Sequence, residues 1–254
     1  MSFSADWLAL REPADLAARD EDLMQQAAQL AGPNPIILDL GCGTGATARA
    51  LSGLLPPHTV WRLVDGDAEL LQRAAAQTGS SAETHLMDLN KIEDLPLENV
   101  TLVTASALLD LVSDPWLIAF VARLGVPFYA ALTYDGTMNW TPPDPSDEKI
   151  KAAFNAHQRT DKGFGPALGP DAADRSIELL RDAGFAVESA QSPWQLGNGM
   201  EEMILELGNG IAQAAGDAGA KCATAWWDTR RESLHETSCV IGHVDLLAKP
   251  TGKS

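Results

Sequence analysis

The segment of this sequence best equipped for chemistry is Asp39-Leu40-Gly41-Cys42-Gly43-Thr44-Gly45. Glycines at alternate positions let a backbone turn tightly and let a ligand approach without Cβ obstruction. A helix begun straight after such a turn offers unpaired N–H groups and the positive end of its dipole, suited to a carboxylate or phosphate. Asp65 lies 20 residues beyond Gly45, at the end of an apolar run. An acid at that place in a doubly wound sheet can accept hydrogen bonds from two ribose hydroxyls. One adenosine-type ligand would therefore touch both features. Gly41-x-Gly43-x-x-Ala46 also fits the alanine-ended dinucleotide pattern, so an NAD-dependent oxidoreductase stands as an alternative. No Tyr-x-x-x-Lys pair accompanies it. Asp67 is placed to cap a helix opening at Ala68, and Cys42 reads as a small residue in a tight turn.

Such residues need a scaffold, and the hydrophobic pattern supplies one. Short apolar runs at 35–40, 60–65, 100–105 and 126–133 read as buried strands, with a further strand at 85–89. Helical patterns at 46–55, 68–77 and 116–124 alternate with them, which predicts a parallel sheet covered by helices on both faces. An amphipathic helix over 14–31, ended by Gly32-Pro33, precedes the first strand. The alternation breaks after Thr133. Residues 134–170 show no clear strand and a helix near 148–157, the signature of a lid or binding loop. It resumes with a helix at 171–183, a strand at 185–189, a helical region at 200–235 and a last strand at 238–248. The expected organisation is one α/β domain over 1–254, with a helical cap at 1–33, a lid or substrate insertion at 134–170 and a helical insertion at 198–236.

Composition narrows the class. Eighteen Lys and Arg against 35 Asp and Glu give a formal charge of −17, a surface that repels phosphate backbones and acidic lipid. No apolar run approaches the roughly 20 residues that cross a bilayer. The opening MSFSADWLALREPAD has no early positive charge and no apolar core of signal-peptide type. Three separated cysteines suggest neither a disulfide framework nor a zinc site. A cytoplasmic protein without nucleic-acid, membrane or metal partners is expected, and a homodimer stays open.

The string ILDLGCGTG, then LVDGD with Asp65, LMDL with Asp88 and TASALLDLV, resembles the class I S-adenosylmethionine-dependent methyltransferases. The resemblance is specific over residues 34–133 and looser over 171–190 and 238–248. It implies a Rossmann-like seven-stranded sheet, mostly parallel with the last strand antiparallel between the fifth and sixth. It implies S-adenosyl-L-methionine as cofactor, with Asp39, Gly41, Gly43 and Gly45 around its methionine part and Asp65 on the ribose. By the same resemblance Asp88 accepts from the adenine amino group, Leu89 donates a backbone N–H to the ring, and Ala105 and Ser106 lie under the sulfonium. Gly66 stands where the family often has an apolar residue against adenine, so that packing must come from elsewhere. Arg11 or Arg19 in the N-terminal helical region is suited to the methionine carboxylate.

Methyl transfer requires the acceptor atom in line with the S–CH₃ bond at about 3 to 3.5 Å. Acceptor-binding residues are expected on loops at the C-terminal ends of the strands. His157, the histidine of the 134–170 insertion, and Tyr134 are the candidate catalytic groups. Trp140, Arg159, Lys162 and Trp194 are the candidate substrate contacts. Lys and Arg exceed Asp by five to three between 149 and 175, which points to an anionic small-molecule acceptor. A regulatory protein that binds the cofactor without turnover is the other alternative. His243 on the last strand, and the Trp226-Trp227 pair in the helical region, read first as structural.

Overall fold

In the computed structural model, residues 4–79 and 82–252 are described. Their centre is one sheet in the order β3-β2-β1-β4-β5-β8-β6. Its strands are β1 (Ile36–Leu40), β2 (Val60–Asp65), β3 (Ala82–Leu86), β4 (Leu102–Ser106), β5 (Phe128–Thr141), β6 (Phe185–Gln191), β7 (Trp194–Leu196) and β8 (Ser238–Pro250). Pairings among β1 to β5 are parallel, whereas β8 runs antiparallel to β5, β6 and β7. This is the Rossmann-like order expected, with β7 as an eighth strand.

Alternation along the central strands divides the core. Leu38 and Leu40 of β1, Val103 and Ala105 of β4 and Phe128 and Ala130 of β5 join one apolar cluster. Ile37, Leu102, Tyr129 and Ala131 face the opposite one. Side chains two residues apart share a face, so each buried strand feeds both layers. The first layer holds residues of α5 (Asp114–Arg123) and α7 (Ala172–Asp182); the second holds residues of α2 (Glu21–Leu30), α3 (Ala46–Leu51) and α4 (Ala68–Thr78). A third, Trp-rich cluster joins α1 (Ala5–Ala18), α6 (Asp147–Gln158), α8 (Glu201–Asp217) and α9 (Ala223–Glu232) to the distal parts of β5 and β8.

Three of the differences from the sequence reading bear on the site. The expected helix over 14–31 is two helices, because Asp20 takes an extended conformation and caps α2 by accepting from Leu23 N–H at 2.8 Å. The third strand lies at 82–86, not 85–89, because register with β2 pairs Trp61 with Ala82 and Asp65 with Leu86. The fifth strand does not stop at Thr133. Register shifts at Ala130/Thr133 and Tyr134/Met138 carry it on to Thr141, so Asp135-Gly136 forms an irregularity within the strand and not a turn out of it. Gly136 has φ +87, and Leu132 reaches φ 57.

Gly208 of α8 lies under Trp227 of α9. A Cβ added there would meet the indole ring at 2.1 Å. Gly208→Ala should therefore reverse the usual helix preference for alanine of about 0.5–1 kcal/mol and destabilise the fold by about 1–3 kcal/mol through overpacking. Urea melts test this; a higher midpoint would mean that the α8–α9 contact yields freely.

Candidate active site

The loops leaving β1, β2, β3 and β4 at their C-terminal ends surround a cavity of about 420 Å³. Gly41, Gly43 and Gly45 have φ of +64, +53 and +84, the left-handed region that the alternate-glycine turn requires. Gly43 N–H donates to Asp65 Oδ2 at 2.9 Å, and Asp67 N–H donates to Oδ1 at 3.0 Å. Two fixed donors therefore orient the Asp65 carboxylate at the cavity wall. Asp67 itself caps α4, accepting from Glu69 and Leu70 N–H.

Beyond Asp65 the cavity becomes a slot lined by Gly66, Leu70, Met87, Leu89 and Phe164. Gly66 leaves space here, with Met87 and Phe164 providing apolar surface. Trp116 of α5 donates its indole N–H to Leu89 O at 2.8 Å and meets Phe164 edge-on, which holds this end of the slot in shape. Asp88 is exposed, and its Oδ1 accepts from Asn90 backbone and side-chain N–H groups at 2.9 Å; these bonds keep its carboxyl below the usual range.

At the other end lie Ser106 at the end of β4, Ala107 and Leu108 after it, and Leu8, Arg11 and Asp15 of α1. Arg19 donates to Ser106 Oγ at 2.8 Å. Asp39 is fully buried and does not line the cavity; Thr104 Oγ1 donates to it at 2.7 Å. Burial pushes its carboxyl up to about 7, against the Thr104 bond and the Arg19 charge. Ala105 is buried and likewise off the lining.

The sequence of this scaffold matches the family of methyltransferase domains over residues 37–125. A trans-aconitate 2-methyltransferase of Klebsiella pneumoniae is 26% identical over 221 residues, covering 80% of this chain and 82% of that protein. Among solved structures, a candidate methyltransferase from Bacillus halodurans shares the fold with a TM-score of 0.56 at 17% identity, over 91% of this chain and all of that one. The cyclopropane synthase MmaA2 of Mycobacterium tuberculosis gives 0.53 at 14% identity, over 97% and 95%. Residues 37–125 thus match a methyltransferase domain, and the chain is similar to a methyltransferase over 80% of its length.

The first cavity suits S-adenosylmethionine, the cofactor that the sequence resemblance implies, on its own geometry. It offers a glycine cradle, an oriented carboxylate at mid-length and an apolar slot for a flat ring. S-Adenosylmethionine supplies an electrophilic methyl group, which the protein has only to face with an acceptor.

A second cavity of about 410 Å³ adjoins the first, and the two share Arg11, Ala107, Leu111 and Lys162. Its body is apolar, with Trp7, Leu132, Met138, Phe154, Ile211 and Ile241. The N-terminal helix, the 134–170 segment and α8 all contribute walls. Ala107 and Leu132, which face it, both carry positive φ (49 and 57). Backbone strain of this kind is retained where surrounding packing over-determines it.

The expected catalytic and substrate residues divide at this cavity. Tyr134, His157, Lys162 and Trp194 line it. Trp140 does not: it packs against Trp226 and Trp227 in the third apolar cluster. Arg159 lines neither cavity and pairs with Asp171 at 2.8 Å. The local cation excess is largely spent in this way, since Lys151 pairs with Glu148 and Arg175 with Asp114. Lys162 is the buried cation of that segment, its Nζ 3.2 Å from His157 Nδ1. Burial lowers the proton affinity of both, and Lys162 lowers that of His157 further. Tyr134 donates its hydroxyl to Asn155 Oδ1 at 2.8 Å, and burial raises its pKa.

Arg11 forms two bonds to Asp15, at 2.9 and 3.1 Å, while Trp194 Nε1 donates to Asp15 Oδ1 at 2.9 Å. The Arg11 guanidinium also sits 4.9 Å from the Trp194 ring centre, so its position between the cavities is over-determined. His243 packs against Trp194 and Tyr134; burial, then the Arg11 charge, lowers its pKa to about 3. It therefore faces the second cavity as neutral imidazole.

Asp110 lines this cavity and is absent from the residues that sequence reasoning singled out. Its signal was a single acid inside the otherwise apolar stretch 107–112 after β4. Leu8, Trp7 and Ile211 carried no such signal, because an apolar helix residue looks the same whether it faces core or ligand. Among the described residues, no group of three His, Cys, Asp or Glu side chains is placed to hold a metal ion, and no helix is long and apolar enough to cross a membrane.

Proposed function

We propose that this methyltransferase acts on a small molecule held in the second cavity, with the acceptor atom presented through the neck formed by Arg11, Ala107, Leu111 and Lys162. One observation carries the reading: two cavities of similar size, one cofactor-shaped and one mainly apolar, share that neck. The cofactor is gripped by the glycine turn and Asp65, with Arg11, Ser106 and Leu89 around it. Residues 134–170 and 198–236 act as the substrate lid. His157 and Tyr134 orient the acceptor, with Lys162 and Trp194 at its polar and aromatic edges.

An anionic acceptor is a second reading. It is supported by Lys162 and Arg11 at the neck and by the trans-aconitate relative, whose named substrate is a polycarboxylate. Arg11 already answers Asp15, so Lys162 is the cation with most charge to offer.

Calorimetry with S-adenosylmethionine and S-adenosylhomocysteine tests the first cavity, and both should bind with a single site. Release of S-adenosylhomocysteine from a panel of small carboxylates, phenols and amines tests the second. Cofactor binding without turnover on any class would favour a regulatory role, and fluorescence enhancement of NADH would favour the oxidoreductase. Lys162→Met should raise the KM of a carboxylate acceptor about 10-fold or more, because a charge-assisted hydrogen bond is worth about 1.5–3 kcal/mol.

A further inference from the structure

Among the described residues, Asp110 is the one carboxylate that combines three features at the acceptor side of the neck. It lines the second cavity but not the first. Its Oδ1 is buried and has no hydrogen-bond partner. Its place is fixed by the backbone, since Asp110 O accepts from Gly169 N–H at 2.9 Å, tying the loop after β4 to the segment before α7. A buried carboxylate oxygen left without a donor is costly, and structures retain such a group where a ligand supplies what is missing.

We propose that Asp110 Oδ1 receives the acceptor's O–H or N–H, so that the acceptor is an apolar-bodied molecule bearing a protic nucleophile, and that Asp110 takes up its proton during transfer. This rests on the two-cavity reading above. The acceptor X–H bond breaks, its proton passes to the Asp110 carboxylate and its electron pair forms the X–CH₃ bond. The S–CH₃ electron pair remains on sulfur, which departs as a neutral thioether. A carboxylate acceptor has no proton to surrender and would instead face Asp110 with like charge.

The surroundings suit a base that works near neutrality. Arg11 from α1, Lys162 after α6, His157 on α6, Tyr134 on β5, His243 on β8 and Glu206 on α8 face the same cavity. Burial pushes the Asp110 carboxyl up to about 6, against Arg11, the Tyr134 N–H and Lys162, which lower it. It is ionised above that pH and a stronger base than an exposed aspartate, as general-base catalysis favours.

The test uses the full chain and three probes with one apolar body: 4-propylphenol, 4-propylaniline and 4-propylbenzoate. Calorimetry into the complex with S-adenosylhomocysteine should show the phenol or the aniline binding at least 10-fold more tightly than the benzoate. Asp110→Leu should remove that preference. With S-adenosylmethionine, Asp110→Asn should slow transfer to the protic probe about 10²-fold or more and abolish the fall in kcat/KM below about pH 6, where protonation of Asp110 removes the base. Unchanged binding of S-adenosylhomocysteine by both variants shows that they fold. The proposal is overturned if the benzoate is preferred, if no protic probe binds, or if Asp110→Asn transfers at the wild-type rate. Failure of the wild-type chain to bind S-adenosylhomocysteine would instead overturn the two-cavity reading itself.

Discussion

Asp65→Ala weakens S-adenosylmethionine binding by about 10²-fold or more. The proposed ribose contact puts two charge-assisted hydrogen bonds at stake, each worth about 1.5–3 kcal/mol, and every 1.4 kcal/mol is about tenfold in affinity. The loss is compounded in the protein, because Gly43 and Asp67 N–H both donate to this carboxylate and would be left without their acceptor. Asp65→Asn keeps oxygen for only one of them and should fall between. Gly43→Val attacks the same site from the backbone. Its φ of +53 is an outlier for a β-branched residue, and even a Cβ would approach Leu8 Cδ1 at 3.1 Å. Calorimetry with S-adenosylhomocysteine measures all three, and a dissociation constant for Asp65→Ala within threefold of wild type would remove Asp65 from the site.

Asp245→Ala should be the most damaging single change away from the cavities. Asp245 is fully buried on β8 and its carboxylate accepts four hydrogen bonds. Leu132 N–H donates to Oδ1 at 2.8 Å and Ser192 Oγ at 2.6 Å; Tyr129 hydroxyl and Asp20 N–H donate to Oδ2, each at 3.1 Å. These bonds hold the start of α2, the β6–β7 connection and the irregularity in β5 against one strand. Alanine strands four donors, at about 1–3 kcal/mol for each that water cannot reach, so a loss of about 4 kcal/mol or more is expected in urea melts. Because Leu132 lines the second cavity, the proposed acceptor site, with a left-handed backbone, catalytic turnover should decline before the fold is lost. A destabilisation below about 1 kcal/mol would show that water replaces the carboxylate.

The first cavity was legible because its signals are local. Gly41, Gly43 and Gly45 are read as glycines whatever surrounds them, since a positive φ leaves little choice of residue. Asp65 and Asp67 closed a run whose strand and helix were both set by short-range pattern. The second cavity was legible only in pieces. His157, Tyr134, Lys162 and Trp194 were named and do share a cavity, but Trp140 and Arg159 were named on the same grounds and face elsewhere. Residue type shows that a tryptophan or arginine is available; it does not show which way a helix or a bulged strand turns it.

Along the chain, the periods of hydrophobicity and the glycine turn were enough to predict a parallel α/β sheet with a ligand-binding loop after its first strand, and the resemblance of the ILDLGCGTG string added the expectation of a methyltransferase. The tertiary structure alone decided that β5 runs past Asp135-Gly136, that Arg11 is locked between two cavities by Asp15 and Trp194, and that Asp110 keeps one buried oxygen without a donor whereas Asp245 is fully buried among its donors. The reason is that a backbone turn is dictated by neighbours in sequence, whereas the burial and partners of a side chain are set by segments tens to hundreds of residues away.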